Sequence, residues 1–124
     1  MILPYRGEHM ASMEKMVRDA LLVFGDPVEN GVYAGEAKRY FVFSLASFGE
    51  SFGDDEPLRE RWLVNVHLFA PLNENVAARR REVQRALFAA GFTWPNVTDV
   101  SDSEARHLVF ECEEAEEVDP YGET

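Results

Sequence analysis

Disulfide chemistry is the first thing this chain lacks. It has a single cysteine, Cys112, so no intrachain bridge can staple the fold, and usage of this kind fits a reducing compartment. Long hydrophobic runs are also missing. No segment approaches the roughly 20 apolar residues that span a bilayer, and the N-terminus has no long apolar stretch of the signal-peptide kind. Basic residues are scarce beside acids. Lys and Arg total 12 against 23 Asp and Glu, a net charge of −11, which repels nucleic acid and anionic lipid. Motifs that carry chemistry are missing too: there is no phosphate-cradling glycine loop, no GxSxG and no HExxH.

What is present suits one folded unit. A chain of 124 residues fits a single domain, and a hydrophobic content of 46% is enough to build a core without staples. The acids gather in two places. One cluster is Glu50, Asp54, Asp55 and Glu56; the other runs through Glu111, Glu113, Glu114, Glu116, Glu117 and Asp119. The arginines concentrate at Arg79, Arg80, Arg81 and Arg85. This separation of sign would let one copy dock on another, although a solvated surface is the commoner use of such charge.

Residues 1–12 read as an unpatterned leader. Gly7-Glu8-His9-Met10-Ala11-Ser12 looks like an expression-tag remnant, with Met13 as the expected natural start. Met13, Met16, Val17, Ala20, Leu21 and Phe24 then keep the 3.6-residue repeat, which predicts a helix capped by Ser12 and stopped at Gly25-Asp26-Pro27. Gly31-Val32-Tyr33-Ala34-Gly35 reads as one arm of a short hairpin or as a lead-in to the strand 39–46. That strand has apolar groups on both faces, as expected of an inner strand or of one covered by a neighbouring subunit. Residues 47–58 read as a loop or a long hairpin tip, where Phe48 and Phe52 sit among acids and call for cover.

Residues 62–69 alternate, with Trp62, Val64, Val66 and Leu68 on one side and Leu63, Asn65, His67 and Phe69 on the other. Asn73 or Asn75 is placed to cap a second helix over 76–90. Its apolar side is Val76, Val83, Leu87 and Ala90, while Arg79, Arg81, Glu82 and Arg85 point outward and Gly91 ends it. A short strand is expected around Val97 and a final strand over 107–113. The sum is an α+β fold: a two-layer sandwich whose antiparallel or mixed sheet of about four strands carries two helices on one face. The domain spans 13–113, followed by an acidic flexible tail over 114–124.

Catalytic readings are weak. His67 and His107 are able to meet on adjacent strands, but two imidazoles alone make a poor zinc site. Acids flank Cys112, which disfavours a reactive thiolate. Asp54-Asp55-Glu56 has cation-binding oxygens without EF-hand spacing. No catalytic residue, cofactor or metal is expected.

Over residues 31–118 the chain resembles the tail-terminator (tail-completion) proteins of long-tailed bacteriophages and prophages, whose neighbours in the head–tail joining and minor tail groups share their size and fold. The stretches that carry the resemblance are Gly31-Val32-Tyr33-Ala34-Gly35, Asp54-Asp55-Glu56-Pro57 leading into Trp62-Leu63-Val64-Asn65-Val66-His67-Leu68, Ala70-Pro71, Ala89-Ala90-Gly91-Phe92-Thr93, and His107-Leu108-Val109-Phe110-Glu111-Cys112-Glu113. The resemblance implies no enzyme. It implies a structural virion-assembly protein that caps the tail tube as a ring, usually a hexamer, and joins it to the head. Its partners would be further copies of itself and the tail-tube and head-completion proteins, with DNA only passing through the channel and no membrane involved. Assembly would take place in the host cytoplasm, and the product would reside in the virion tail. Within that frame the expected interface residues are Phe48, Phe52, Asp54, Asp55, Arg79, Arg81 and Arg85. The rival class is an acidic DNA mimic or inhibitor that occupies a nucleic-acid-binding protein. A small hydrolase or metal enzyme comes third.

Overall fold

The structure is a computed structural model that describes residues 5–53 and 56–115, with side chains described at 10–49 and 61–115. In chain order the elements are α1 (Tyr5–Leu22), β1 (Val28–Asn30), β2 (Tyr40–Gly53), β3 (Glu56–Ala70), α2 (Ala77–Ala89), β4 (Asn96–Asp99) and β5 (Arg106–Glu113). The strands form one mixed sheet in the order β1-β2-β3-β5-β4. The fold is therefore α+β as expected, with five strands rather than about four.

Strict alternation on β3 drives the packing. Trp62, Val64, Val66, Leu68 and Ala70 are buried, and the residues between them are only half-buried. Phe41 and Phe43 of β2 and Leu108, Phe110 and Cys112 of β5 extend the same inner face. Met13, Val17 and Leu21 of α1 and Val83 and Leu87 of α2 join these residues in one core cluster, so both helices cover one side of the sheet. Gln84 is the buried polar exception, and its Nε2 donates to the Pro95 carbonyl at 3.0 Å.

Connections follow from pairing. β3 and β5 are antiparallel, as are β5 and β4. β3 and β4 thus run the same way with β5 between them, and α2 makes the crossover. The end of α2 is a Schellman turn. Gly91 takes φ 113°, its N–H donates to Phe88 O, and the Phe92 N–H reaches back to Leu87 O.

Three expectations need correction. α1 starts at Tyr5, so Ser12 lies inside the helix rather than capping it; a cap preference is worth only about 1 kcal/mol and is easily overridden. The strand before β2 is Val28–Asn30, and it pairs parallel to β2, not as a hairpin. Gly31, at φ 90°, turns the chain away immediately after it, leaving Val32 exposed. Glu114 and Ala115 are not a free tail: their N–H groups donate to Trp62 O at 3.1 Å and Gly91 O at 3.0 Å. Of the two readings of residues 47–58, the long hairpin tip is the one found: residues 47–53 form the outer part of β2, paired with β3 as far as Gly53 opposite Glu56.

Near the start of α2, Asn75 Oδ1 accepts from the Ala77 N–H at 3.0 Å. Between the helices, Asp26 receives Arg39 at 3.0 Å and Arg79 at 3.0 Å while its side chain is 9% exposed. Arg39 also reaches Glu74 at 2.8 Å. This network ties the ends of α1 and β3 to α2.

Two substitutions test this account. Gly91→Ala forces a β-carbon into a left-handed conformation and should cost about 1–2 kcal/mol, read as a lower urea midpoint with an unchanged denaturant slope. Asp26→Ala removes the carboxylate that two partly exposed guanidiniums share, while Arg39 keeps Glu74 and Arg79 keeps Glu82, and should cost about 1–2 kcal/mol in the same measurement.

Candidate functional site

The side of the sheet away from the helices is a grid whose rows follow from strand register. Tyr40, Phe69 and His107 lie abreast on β2, β3 and β5; the next rows are Val42, His67 and Val109, then Ser44, Asn65 and Glu111, then Ala46, Leu63 and Glu113. Alternation puts them here because their neighbours face the core. None of the twelve is buried. The face is aromatic and apolar at one end and turns acidic along β5 at the other.

At the aromatic end the rings are stacked. Tyr33, from the loop after β1, lies 4.3 Å from Tyr40; Tyr40 lies 4.9 Å from Phe69; Phe69 lies 4.1 Å from His107. Tyr33 is held by its hydroxyl, which accepts the Ala37 N–H at 2.8 Å. His67 Nδ1 and His107 Nε2 are 2.8 Å apart, so one imidazole donates and the other accepts. Burial pushes both rings below their ordinary pKa. For His107 the neighbouring His67 adds to the drop, and Asp102 and Asp99 oppose it.

The second unusual feature of this region is the β2–β3 ribbon. β1 pairs only with Phe41, Val42 and Phe43, and β5 pairs with β3 only from Leu63 onward. The hairpin therefore runs past the sheet as two strands, by about seven residues or roughly 23 Å. A lone two-stranded ribbon is marginal in water. Phe48 stands on it, 44% exposed. The backbone of Phe52 belongs to β2, but its side chain, together with Asp54 and Asp55, lies outside the described residues.

The arginines do not act as a set. Arg79, expected to point outward, turns in to Asp26 and Glu82 and lies 4.9 Å over the Phe24 ring. Its partner in sequence is 53 positions away, a pairing that helix periodicity does not reveal. Arg81 sits 5.6 Å over Trp94, and Arg85 is exposed. Trp94 in turn meets Phe88 edge-on at 5.6 Å. Neither Arg81 nor Arg85 forms an ion pair among the described residues. Sequence reasoning passed over Phe88 and Trp94, although an apolar Phe88 at i+7 from Arg81 on the outward face was a visible signal.

Chemistry at this site is limited. Among the described residues no three His, Cys, Asp or Glu side chains gather as a metal would require. Burial, and then the charge of Glu113, pushes the Cys112 thiol up to about 12, so it is protonated at neutral pH. Two surface clefts, of about 450 and 520 Å³, flank the start of α2 and the Trp94 loop. No helix among the described residues is long and apolar enough to cross a membrane.

No protein-family model matches the chain, and no curated protein matches it.

The histidine pair has a thermodynamic consequence. Because both folded-state pKa values lie below that of a free histidine, the unfolded chain binds more protons as pH drops through the free-histidine range. Stability should therefore fall on acidification from pH 7.5 to 5.5 and recover on return. Thermal unfolding across that range should show a falling Tm, and the variant His67→Asn/His107→Gln should flatten the slope.

Proposed function

We propose that this chain is a tail-completion subunit of a long-tailed bacteriophage or prophage, a structural protein that works by closing into a ring on the tail tube and presenting a surface to the head. The carrying observation is the pair of association surfaces on one sheet: a half-open aromatic face without helices, and a two-stranded ribbon that runs past the core. Contiguous apolar surface of this kind marks interaction sites. The resemblance over residues 31–118 supplies the nature of the assembly.

A ring needs a head-to-tail contact, in which two different patches of one protomer meet. The ribbon of one copy, with Phe48 and its free backbone edges, is suited to lie across the Val42, Leu63 and Phe69 region of the next. Such a contact would cover both the unpaired edge and the apolar grid. The acidity of the chain then has a use: a lumen lined by carboxylates repels DNA and lets it slide. An acidic DNA mimic would instead need an acid-lined face, and Tyr40, Val42, Phe69 and Val109 occupy the equivalent area here.

Light scattering across salt and protein concentration tests the reading. The expected species is a closed oligomer, a hexamer of the 14.1 kDa protomer. Val42→Lys and Leu63→Lys, both on the half-buried grid, should return it to monomer with little change in Tm. A chain that stays monomeric at high concentration would overturn the proposal.

A further inference from the structure

Among the described residues, the outward face of α2 concentrates unpaired positive charge beside exposed aromatic rings. Arg81, Arg85 and Phe88 stand at i, i+4 and i+7, so they share one face of the helix. Trp94 folds against it from the following loop, touching Phe88 and lying under Arg81. Phe88 is 56% and Trp94 42% exposed. Exposed rings flanked by free guanidiniums fit a segment that carries carboxylates together with a few apolar groups.

The chain has such a segment. Residues 116–124 hold Glu116, Glu117, Asp119 and Glu123 with no basic residue, and include Val118 and Tyr121. Its starting point is fixed by hydrogen bonds. Thr93 N–H donates to Glu113 O at 2.8 Å, Phe92 bridges Glu114, and Ala115 N–H donates to Gly91 O at 3.0 Å. The described chain thus ends antiparallel to residues 91–93 and heads for the last turn of α2. From Gly91, Phe88 is one helical turn away, about 5 Å, and Arg81 is about 10 Å further along the axis. Nine residues span up to about 30 Å, more than enough to cross both arginines. The negative end of the α2 dipole repels carboxylates at the helix terminus, so attraction must come from Arg85 and Arg81 higher up.

We propose that the Arg81, Arg85, Phe88 and Trp94 face of α2 is the docking site for the chain's own acidic segment, residues 116–124, folded back within the same protomer. The proposal does not depend on ring formation. It gives the arginines and the segment a common role, as a strap that covers an otherwise sticky surface.

Tryptophan emission tests it in the full-length chain. Trp62 is 1% exposed, so a neutral quencher such as acrylamide reports on Trp94. Arg85→Glu should red-shift the emission and raise quenching, and so should the triple reversal Glu116→Lys/Glu117→Lys/Asp119→Lys. Combining the two sets should move both signals back toward wild type, because position 85 again faces opposite charge while Arg81 is unchanged, and high salt should mimic either single set. The rescue separates docking from a local effect at the helix. Unchanged quenching in the triple reversal, or failure of the combination to rescue, would overturn the proposal. Trp94 protection that rises with protein concentration would overturn it as well, by making a second copy the occupant.

Discussion

Everything in this molecule depends on a sheet with one dry side. β3 runs through its centre, and every second residue from Trp62 to Ala70 is withdrawn from water against two helices. Burying a large side chain of this type contributes roughly 1.5–3 kcal/mol, and the inner face gathers such residues from three adjacent strands. The helices need the sheet as much as it needs them. α2 has thirteen residues, too few to persist alone in water, and it is held by Val83 and Leu87 in the core and by Arg79 on Asp26.

The same arrangement creates the surface on which function is argued. A two-layer fold covers one side of its sheet and leaves the other to whatever the sequence places there. In a monomer that side is ordinarily polar. Here it bears stacked tyrosine, phenylalanine and histidine rings, with polar groups confined to the rows beyond Val42 and Val109. The histidine pair adds a condition to this surface. Its rings are held close to each other and to Phe69, and both resist protonation. Whatever settles on the aromatic end therefore meets a neutral surface at pH 7 and a more cationic one under acid.

Much of this was legible in the chain itself. The stripe from Met13 to Phe24 and the alternation over 62–69 each follow a single period with several large apolar residues, and a helix and a strand lie over them, each starting further toward the N-terminus than its pattern. What was hidden depends on partners distant in sequence or on very short signals. β1 has three residues and one buried side chain, too little to establish a period. The outer part of β2 contains Gly49 and Gly53, which read as punctuation, yet pairing with β3 carries the strand through them. Arg79 looked like a member of an exposed basic cluster because its neighbours are arginines; only the fold brings Asp26 within 3.0 Å of it. That His67 and His107 are able to meet was visible from their places on two strands; the register of β3 on β5, which no local pattern encodes, decides that they do.

Cys112 gives this chain a practical property. Its sulfur is buried on the inner face of β5, beside Val64 of β3, and burial holds it protonated well above physiological pH, so electrophilic dyes should react with it poorly. A cysteine placed by mutation on the ribbon or beside Phe69 would then be the sole site to accept a label, and no native thiol would first have to be removed.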